Sequence, residues 1–586
     1  MRQWMVAAKK ADFYAIAEKF HVDPVVARII RNREVIGEKN IWIYLGGNLS
    51  DLSDPHQMKD MDRLVEILAQ KIRKQVHIRI IGDYDVDGVT SSHLFLTALR
   101  RVGAKVDVVI PHRIQDGYGL SLHLLQQAKE DGVDTILTCD NGIAAIDEIA
   151  WAKAQKMTVL VTDHHAVPFE EHEGRRTEKK SLADAVVNPH QQDCGYPYKE
   201  LCGAGVAWNV IRVLYENYDM DKREAEDLLD FVAMATVCDV MSLTGENRIL
   251  VKEGLKRIRH TKNIGLQALM QACNVQPENI SAYHFGYVLG PCVNATGRLD
   301  TARHALRLFE TGQETEAEEI ARDLVDLNQE RKELTLQGVE MAKKLCEEGG
   351  YENDPILVLF LPDVHESIAG LIAGRIREMY NRPVFVLTRG EEGVKGSGRS
   401  TENYSMYENM CGCAELFTKF GGHPMAAGLS LPEENVEKFR RKINENCPLT
   451  VEEVCPDIHI DMAMPVGYAS TELVHQFALL EPFGKDNPSP LFADRNLSIS
   501  RMWVIGKNRN VLRMSVLSEY GQPVPVIFFG DVETLFAYFT EKFGQEEVEN
   551  ALHGRKNRIL FSMVYTAKVD FYQGNENLQL EMKYYR

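Results

Sequence analysis

The sequence contains no uninterrupted stretch of about 18 apolar residues, so it offers no helix able to span a membrane. Its first 20 residues lack an unbroken apolar core and a small-residue cleavage site, and no secretory leader is expected. No C-x-x-C pair occurs. The 11 cysteines are scattered, with a lone C-x-C at Cys411 and Cys413. That disfavours a zinc cluster and makes reduced cytosolic thiols the expected state. Internal repeats and low-complexity segments are also missing. Positive charge is in deficit, with 67 Lys and Arg against 85 Asp and Glu, a net charge of −18. Indiscriminate binding to nucleic acid is thereby disfavoured, while a local basic groove stays open.

What is present is a long chain of 586 residues with the composition of a globular protein, enough for about three or four domains. Residues 1–70 read as a mostly helical region. From Val76 the pattern alternates. Short β-branched runs at Val76–Ile81, Lys105–Ile110, Val133–Asp140 and Met157–His165 are separated by helical stretches at Gly88–Val102, from Ser121, and at Gly142–Lys156. This predicts an α/β fold with a parallel sheet covered on both faces, over residues 71–310. Helices are expected to continue at Gly203–Tyr218 and Ala225–Asp239. A charged helix over 311–349, with Ile320, Leu324, Leu327, Leu334, Met341 and Leu345 as its apolar stripe, should bridge to a second α/β domain at 350–450. Residues 451–586 contain strand-like runs between turn residues, the pattern of a small β-barrel such as an OB-fold.

Chemistry concentrates at "IIGDYDVDGVTSSHLF", where Asp83, Asp85 and Asp87 alternate before a glycine. The spacing matches the start of a calcium loop. However, the twelfth position, which needs a bidentate Glu, is Leu94, and a strand rather than a helix leads in. Crowded acids at a strand end repel one another, and a cation relieves them. Asp140 and Asp163 also fall just past predicted parallel strands, the edge where open α/β sheets bind ligands. His164 and His165 follow Asp163, and Asp239 ends a helix in the same half. An Asp/His set without thiolate suits manganese or magnesium better than structural zinc.

The ordered motifs "DYDVDG", "CDNG", "DHH" and "VCDVMSL" resemble those of the DHH phosphoesterase superfamily. "GSGRS" at Gly396–Ser400 and "GGHPMAAG" at Gly421–Gly428 resemble its associated substrate-binding domain. "PHRIQDGYG", "NATGRLD" and "LEPFGKDNPSPLF" narrow the resemblance to the RecJ family of single-strand-specific exonucleases, over about residues 75–530.

The resemblance implies two divalent cations, Mn2+ or Mg2+. Asp83 and Asp85 would ligate one, Asp87, His164 and Asp239 the other, and Asp140 would bridge them. Asp163 would orient the histidines, and His165 would face the scissile phosphate. Related pyrophosphatases place a histidine four residues before the middle aspartate. Here that position is Ile81, which leaves Asp83 as the substitute and the first ion with an all-oxygen shell. Two ions about 4 Å apart supply hydroxide at neutral pH and neutralise the attacking and leaving oxygens. Ser397 and Arg399 would hold a terminal phosphate, with Gly421, Gly422 and His423 offering further donors. Arg113 and Arg298 are similar to arginines that contact the strand. In the barrel, Arg501–Arg513 carries four basic residues, no acid and Trp503, which suits base stacking.

The implied activity is 5′→3′ hydrolysis of single-stranded DNA to 5′-mononucleotides in recombination and repair. The implied substrate has a free 5′ end, the protein is cytoplasmic and monomeric, and the implied partner class is a helicase or single-strand-binding protein. Two other readings compete. A nanoRNase or phosphatase for very short oligonucleotides would share both catalytic domains but usually lack the barrel. A non-catalytic DNA-binding scaffold would have lost ligands, and every assignable ligand position is intact.

Overall fold

The computed structural model describes residues 3–586 except 114–115, 173–174, 352, 391–392, 507–509 and 573. It divides into two units. One is Leu49–Pro456, and the other combines Gln3–Asn48 with Asp457–Arg586.

In the first unit, β1 (His77–Ile81), β2 (Lys105–Val109), β3 (Thr135–Cys139), β4 (Thr158–Thr162) and β5 (Ala185–Val187) form a parallel sheet ordered β2-β1-β3-β4-β5. Side chains alternate between its faces. Ile78, Ile80, Leu137 and Leu160 join one core. Ile81, Ile136, Val159 and Val161 join the core on the other face. Strand order reverses between β1 and β3, and that switch point opens a crevice at their carboxyl ends. The loops after β1 and β3 carry Asp83 and Asp140.

The loop after β1 runs straight into α1 (Val86–Arg101), with Asp85 as its N-cap, accepting the Gly88 amide at 3.0 Å. α2 (Gly203–Asn217) and α3 (Leu229–Cys238) pack beside it. The expected single helix at Ala225–Asp239 is two, Lys222–Glu226 and α3. Beyond them lie α4 (Ile264–Ala272), a π-helical turn at Phe285–Leu289, and α5 (Gly290–Leu299).

α6 (Glu314–Glu348) buries Ala317, Ile320, Ala321 and Leu324 in the first sheet's core, and Val339, Ala342 and Cys346 in a second. Of its expected apolar stripe, Leu334 and Leu345 also pack against that second core, and Met341 alone in this half departs. Met341 is 46% exposed, and the small residues Gly338 and Ala342 take the buried positions. The buried row shifts because the C-terminal half packs against a different partner, α7 (Glu366–Tyr380), where Gly338 lets Ile372 approach.

That second core covers one face of a mixed sheet ordered β9-β10-β8-β7-β6. Its strands are β6 (Leu357–Phe360), β7 (Val384–Gly390), β8 (Gly393–Arg399), β9 (Lys419–His423) and β10 (Ala426–Leu431). Only β6 and β7 run parallel.

The second unit is a barrel. Its strands are β11 (Met462–Ala463), β12 (Phe492–Ile505), β13 (Val511–Leu517), β14 (Pro523–Phe529), β15 (Leu560–Tyr572) and β16 (Asn575–Tyr585). The order β11-β12-β13-β14-β16-β15 closes through an extra β12–β15 pairing. Residues 1–70, read from sequence as one helical region, are split between the units. Val25, Val26, Ile29 and Ile30 enter the barrel's core, and Trp4–Val6 pairs in parallel with Ile458–Ile460. Arg33 forks onto both oxygens of buried Asp461 at 2.6 and 3.0 Å.

Candidate metal centre and substrate cleft

Each acid at the switch point is held by its local structure. The two oxygens of Asp87, in the first turn of α1, accept the Gly203 and Ala204 amides at 2.5 and 2.7 Å, at the N-terminus of α2. Only glycine fits at 203, because a Cβ there would lie 2.6 Å from the Asp140 Cβ. Asn141 donates to the carbonyls of Ile81 and Cys139, tying the ends of β1 and β3 together. Asn294 of α5 accepts the Val86 amide at 3.2 Å. Gly297 packs so closely that a Cβ would meet the Tyr84 carbonyl oxygen at 2.3 Å.

These supports bring the expected ligands together. Donor atoms of Asp83, Asp85 and Asp140 lie within 4.8 Å of one another. So do those of Asp87, His164 and Asp239, and those of Asp140, His164 and His165. The His164 Nε2 sits 3.0 Å from Asp140 and 3.6 Å from both Asp87 and Asp239, yet it is buried without a hydrogen-bond partner. Both Asp83 oxygens and Oδ1 of Asp140 are likewise buried and unpartnered.

The electrostatics suit a cation-binding site. Burial, followed by the charge of neighbouring aspartates, pushes Asp83, Asp85 and Asp140 above the ordinary carboxylate range. Burial also lowers His164, which keeps its imidazole neutral and able to ligate. Orphaned oxygens around an orphaned nitrogen fit hard or borderline divalent ions, and no thiolate enters the set.

Asp163 plays a different part. Oδ1 accepts the His164 and His165 amides and Nδ1–H of His165 at 2.8 Å, and Oδ2 accepts the Ile143 amide. Burial raises Asp163, but the His165 hydrogen bond and the charges of both histidines outweigh it and hold the carboxyl low. In turn His165, which burial would lower, is raised to about 9 by Asp163 and the surrounding aspartates. Tyr118 donates to the Asp140 carbonyl at 3.0 Å. Its oxygen lies 3.1 Å from His165 Nε2, where it can accept the second ring proton.

The site opens onto a cleft of about 460 Å³ lined by Tyr84, Arg113, Tyr118, Lys395, Ser397, Lys419 and Gly421, among others. Arg113 stacks over Tyr84, 4.7 Å from the ring centroid. Arg298 donates to the Ser367 carbonyl at 2.7 Å. Burial and the charges of Arg113, Arg331 and Arg399 push it down to about 10. Arg399 is lowered by burial, Arg377 and Arg113. Among the described residues, none of Arg113, Arg298 and Arg399 makes an ion pair, and their mutual repulsion makes this region attractive to an anion.

Arg298, Arg399, Gly422 and His423 are not among the residues that line this cleft. Trp503 lies in the second unit, 38% exposed, with the Arg501 guanidinium 5.7 Å from its ring. It borders a groove of about 410 Å³ with Arg513, Ile527, Asn577 and Gln579. Lys507 and Arg509 of the expected basic run lie outside the described residues.

Family models match along the chain in order: the DHH family N-terminal domain at 77–236, the DHHA1 domain at 353–447 and the RecJ OB domain at 460–584. A single-stranded-DNA-specific exonuclease RecJ of Haemophilus influenzae is 32% identical over 96% of this chain and 96% of its own. This chain belongs to the RecJ family. The match to the Bacillus subtilis RecJ is 33% identical over 87% of this chain but spans only 63% of that longer protein. The crystal structure of Thermus thermophilus RecJ with Mn2+ aligns over 100% of this chain and 79% of its own, at 25% identity and a TM-score of 0.81.

RecJ-family motifs located the acids and histidines. Reading the sequence alone missed Tyr118, Asn141, Lys395, Lys419, Asn294 and Gly203. Tyr118 and Asn294 sit inside motifs noticed only for their arginines. Asn141 follows Asp140 directly in "CDNG". Gly203 had a signal in the "GAG" that opens a helix. The lysines carried none.

Proposed function

We propose that this protein is a 5′→3′ exonuclease of single-stranded DNA that releases 5′-mononucleotides through two divalent cations, in DNA recombination and repair. The observation that carries this reading is the unpartnered His164 Nε2 among Asp87, Asp140 and Asp239, beside a cleft whose far wall holds Ser397 and Lys419. Asp83, Asp85 and Asp140 would hold one ion, and Asp87, His164 and Asp239 the other, with Asp140 shared. When bound, such ions activate a water and neutralise charge on the phosphate.

The chain's own residues do the rest. Asp163 takes Nδ1–H of His165, fixing the ring so that Nε2 turns toward Tyr118 and the cleft. The imidazolium can then stabilise a non-bridging oxygen or hand its Nε2 proton to the leaving oxygen. Arg113, Arg298 and Arg399 supply positive charge for a strand, and Ser397 with Arg399 would hold the terminal 5′-phosphate through fork geometry. Seating that phosphate one nucleotide from the acids would bring the first internal phosphodiester to them and release one nucleotide at a time. Trp503 offers a base-stacking face for longer strands.

The test is cleavage of a 5′-phosphorylated 30-mer with manganese, resolved by product size and compared with a dinucleotide. Mononucleotides appearing from the 5′ end, with the 30-mer preferred, support the reading. Turnover confined to the dinucleotide would favour the short-oligonucleotide enzyme, and no turnover would favour a scaffold.

A further inference from the structure

Away from the acids, two thiols face each other across a helix pair. Cys273, the residue that ends α4, and Cys292 in α5 have their sulfurs 3.7 Å apart. Among the described residues, no other cysteine pair has its sulfurs in contact. Cys273 is half-buried and Cys292 is buried. Asn328 of α6 donates to the Cys292 sulfur at 3.4 Å, and the Val288 carbonyl lies 3.3 Å from it. Cys273 is held below the ordinary thiol range by its contact with Cys292 and by the charge of Lys332. The more accessible thiol thus has a resolving thiol standing against it.

The helix that carries Cys292 also shapes the candidate metal centre. Two residues further along α5, Asn294 accepts the Val86 amide, and Gly297 presses on the Tyr84 carbonyl. Both contacts fall within the 83–87 segment, from the loop into the first turn of α1, that bears Asp83, Asp85 and Asp87. At the end of α5, Arg298 binds the Ser367 carbonyl at the start of α7. A covalent S–S bond of about 2 Å would draw the two sulfurs together by more than an ångström and shift α5 under that loop.

We propose that Cys273 and Cys292 are a reversible modification site, oxidised by a peroxide to an intrachain disulfide that slows the enzyme. The Cys273 thiolate attacks one peroxide oxygen and breaks the O–O bond. This gives Cys273 sulfenic acid and a hydroxide, which takes up a proton to become water. The Cys292 sulfur then attacks the Cys273 sulfur, forming the S–S bond, and the sulfenic oxygen leaves with two protons as water. In sum, two thiols lose two electrons and two protons, and one hydrogen peroxide becomes two waters. A dithiol reductant reverses the bond by exchange.

The proposal uses the nuclease reading for its rate readout, while the disulfide is detected independently of it. The full-length chain is treated with hydrogen peroxide, unreacted thiols are alkylated, and the digest is mapped by mass spectrometry. The expected result is a Cys273–Cys292 cross-link and a roughly tenfold fall in single-strand hydrolysis, because ångström-scale misplacement of reacting groups costs up to about a hundredfold. Dithiothreitol should restore the rate. Cys273→Ser should keep the reduced-state rate and resist peroxide. In Cys292→Ser, dimedone should trap Cys273 as sulfenic acid, a second check if the first variant fails to fold. Two results would overturn the proposal: the pair staying fully alkylatable while exposed Cys411 oxidises, or a complete disulfide that leaves both hydrolysis and manganese affinity unchanged. A reduced enzyme without hydrolysis would count against the nuclease reading, and manganese affinity would then decide the coupling.

Discussion

Replacing Asp163 by Asn separates the role of the histidine pair from that of the acids. The amide keeps the shape but loses the charge and turns one acceptor into a donor. In the wild type, Asp163 accepts four N–H groups, from Ile143, His164 and twice from His165. His165 stands at about 9 against an ordinary value near 6.5, a difference worth at most ~3 kcal/mol. Its side chain is 41% exposed, so solvent screening reduces the contact to about 1–2 kcal/mol. The sign follows from the raised folded-state value. The His165 side of the contact stabilises the fold below pH 6.5 and loses that contribution as pH rises toward 9. For catalysis, losing a positioned proton carrier should lower kcat by about a hundredfold, with KM changed less than threefold. The alkaline limb of the pH–rate profile should move down by one unit or more. The assay is the pH–rate profile on a 5′-phosphorylated oligonucleotide at saturating manganese. An unmoved limb with kcat within threefold of wild type would refute the role given to His165.

Four further outcomes are expected. Gly203→Ala should push a methyl group onto Asp140 and disturb the amides that hold Asp87, costing about 1–3 kcal/mol in urea unfolding and most of the activity; a neutral result would discount this support. Arg399→Ala should erase the preference for 5′-phosphate over 5′-hydroxyl ends, a loss of about 1.5–3 kcal/mol in relative kcat/KM; an equal loss on both ends would place Arg399 elsewhere. His93, buried and held neutral at about 3 by burial and Arg100, lies below its unfolded value, so it destabilises the fold as pH falls from 6.5 toward 3. His93→Leu should lessen the stability lost between pH 7.5 and 4.5 by about 2–3 kcal/mol, read from urea midpoints. Trp503→Ala should weaken 30-mer binding by about 1–3 kcal/mol in fluorescence anisotropy while leaving dinucleotide turnover unchanged.

Much of the fold was legible because its signals are local. The strands ending at Ile81, Cys139 and Thr162 are short β-branched runs, and an acid follows each within two residues. The barrel's middle strands read well for the same reason. Long-range pairing was not legible. Nothing in Trp4–Val6 announces a partner at Ile458–Ile460, so the N-terminal helices read as a separate region. The closing strands β15 and β16 were also missed, because closure depends on the β12–β15 pairing across more than 60 residues. In the site, the acids were legible by spacing and resemblance. Tyr118, Asn294 and Gly203 act through backbone contacts, to Asp140, Val86 and Asp87 respectively, and single-residue chemistry does not reveal such contacts. Met341 failed as a core residue because helical periodicity does not register a change of packing partner along α6.

The most direct test of the central claim is the number of manganese ions the folded chain binds, titrated by electron paramagnetic resonance on wild type and Asp140→Ala. Two coupled ions per wild-type chain, with the coupling lost in Asp140→Ala, are expected from the shared carboxylate. A wild-type chain that binds one ion or none while cleaving at full rate would contradict the account.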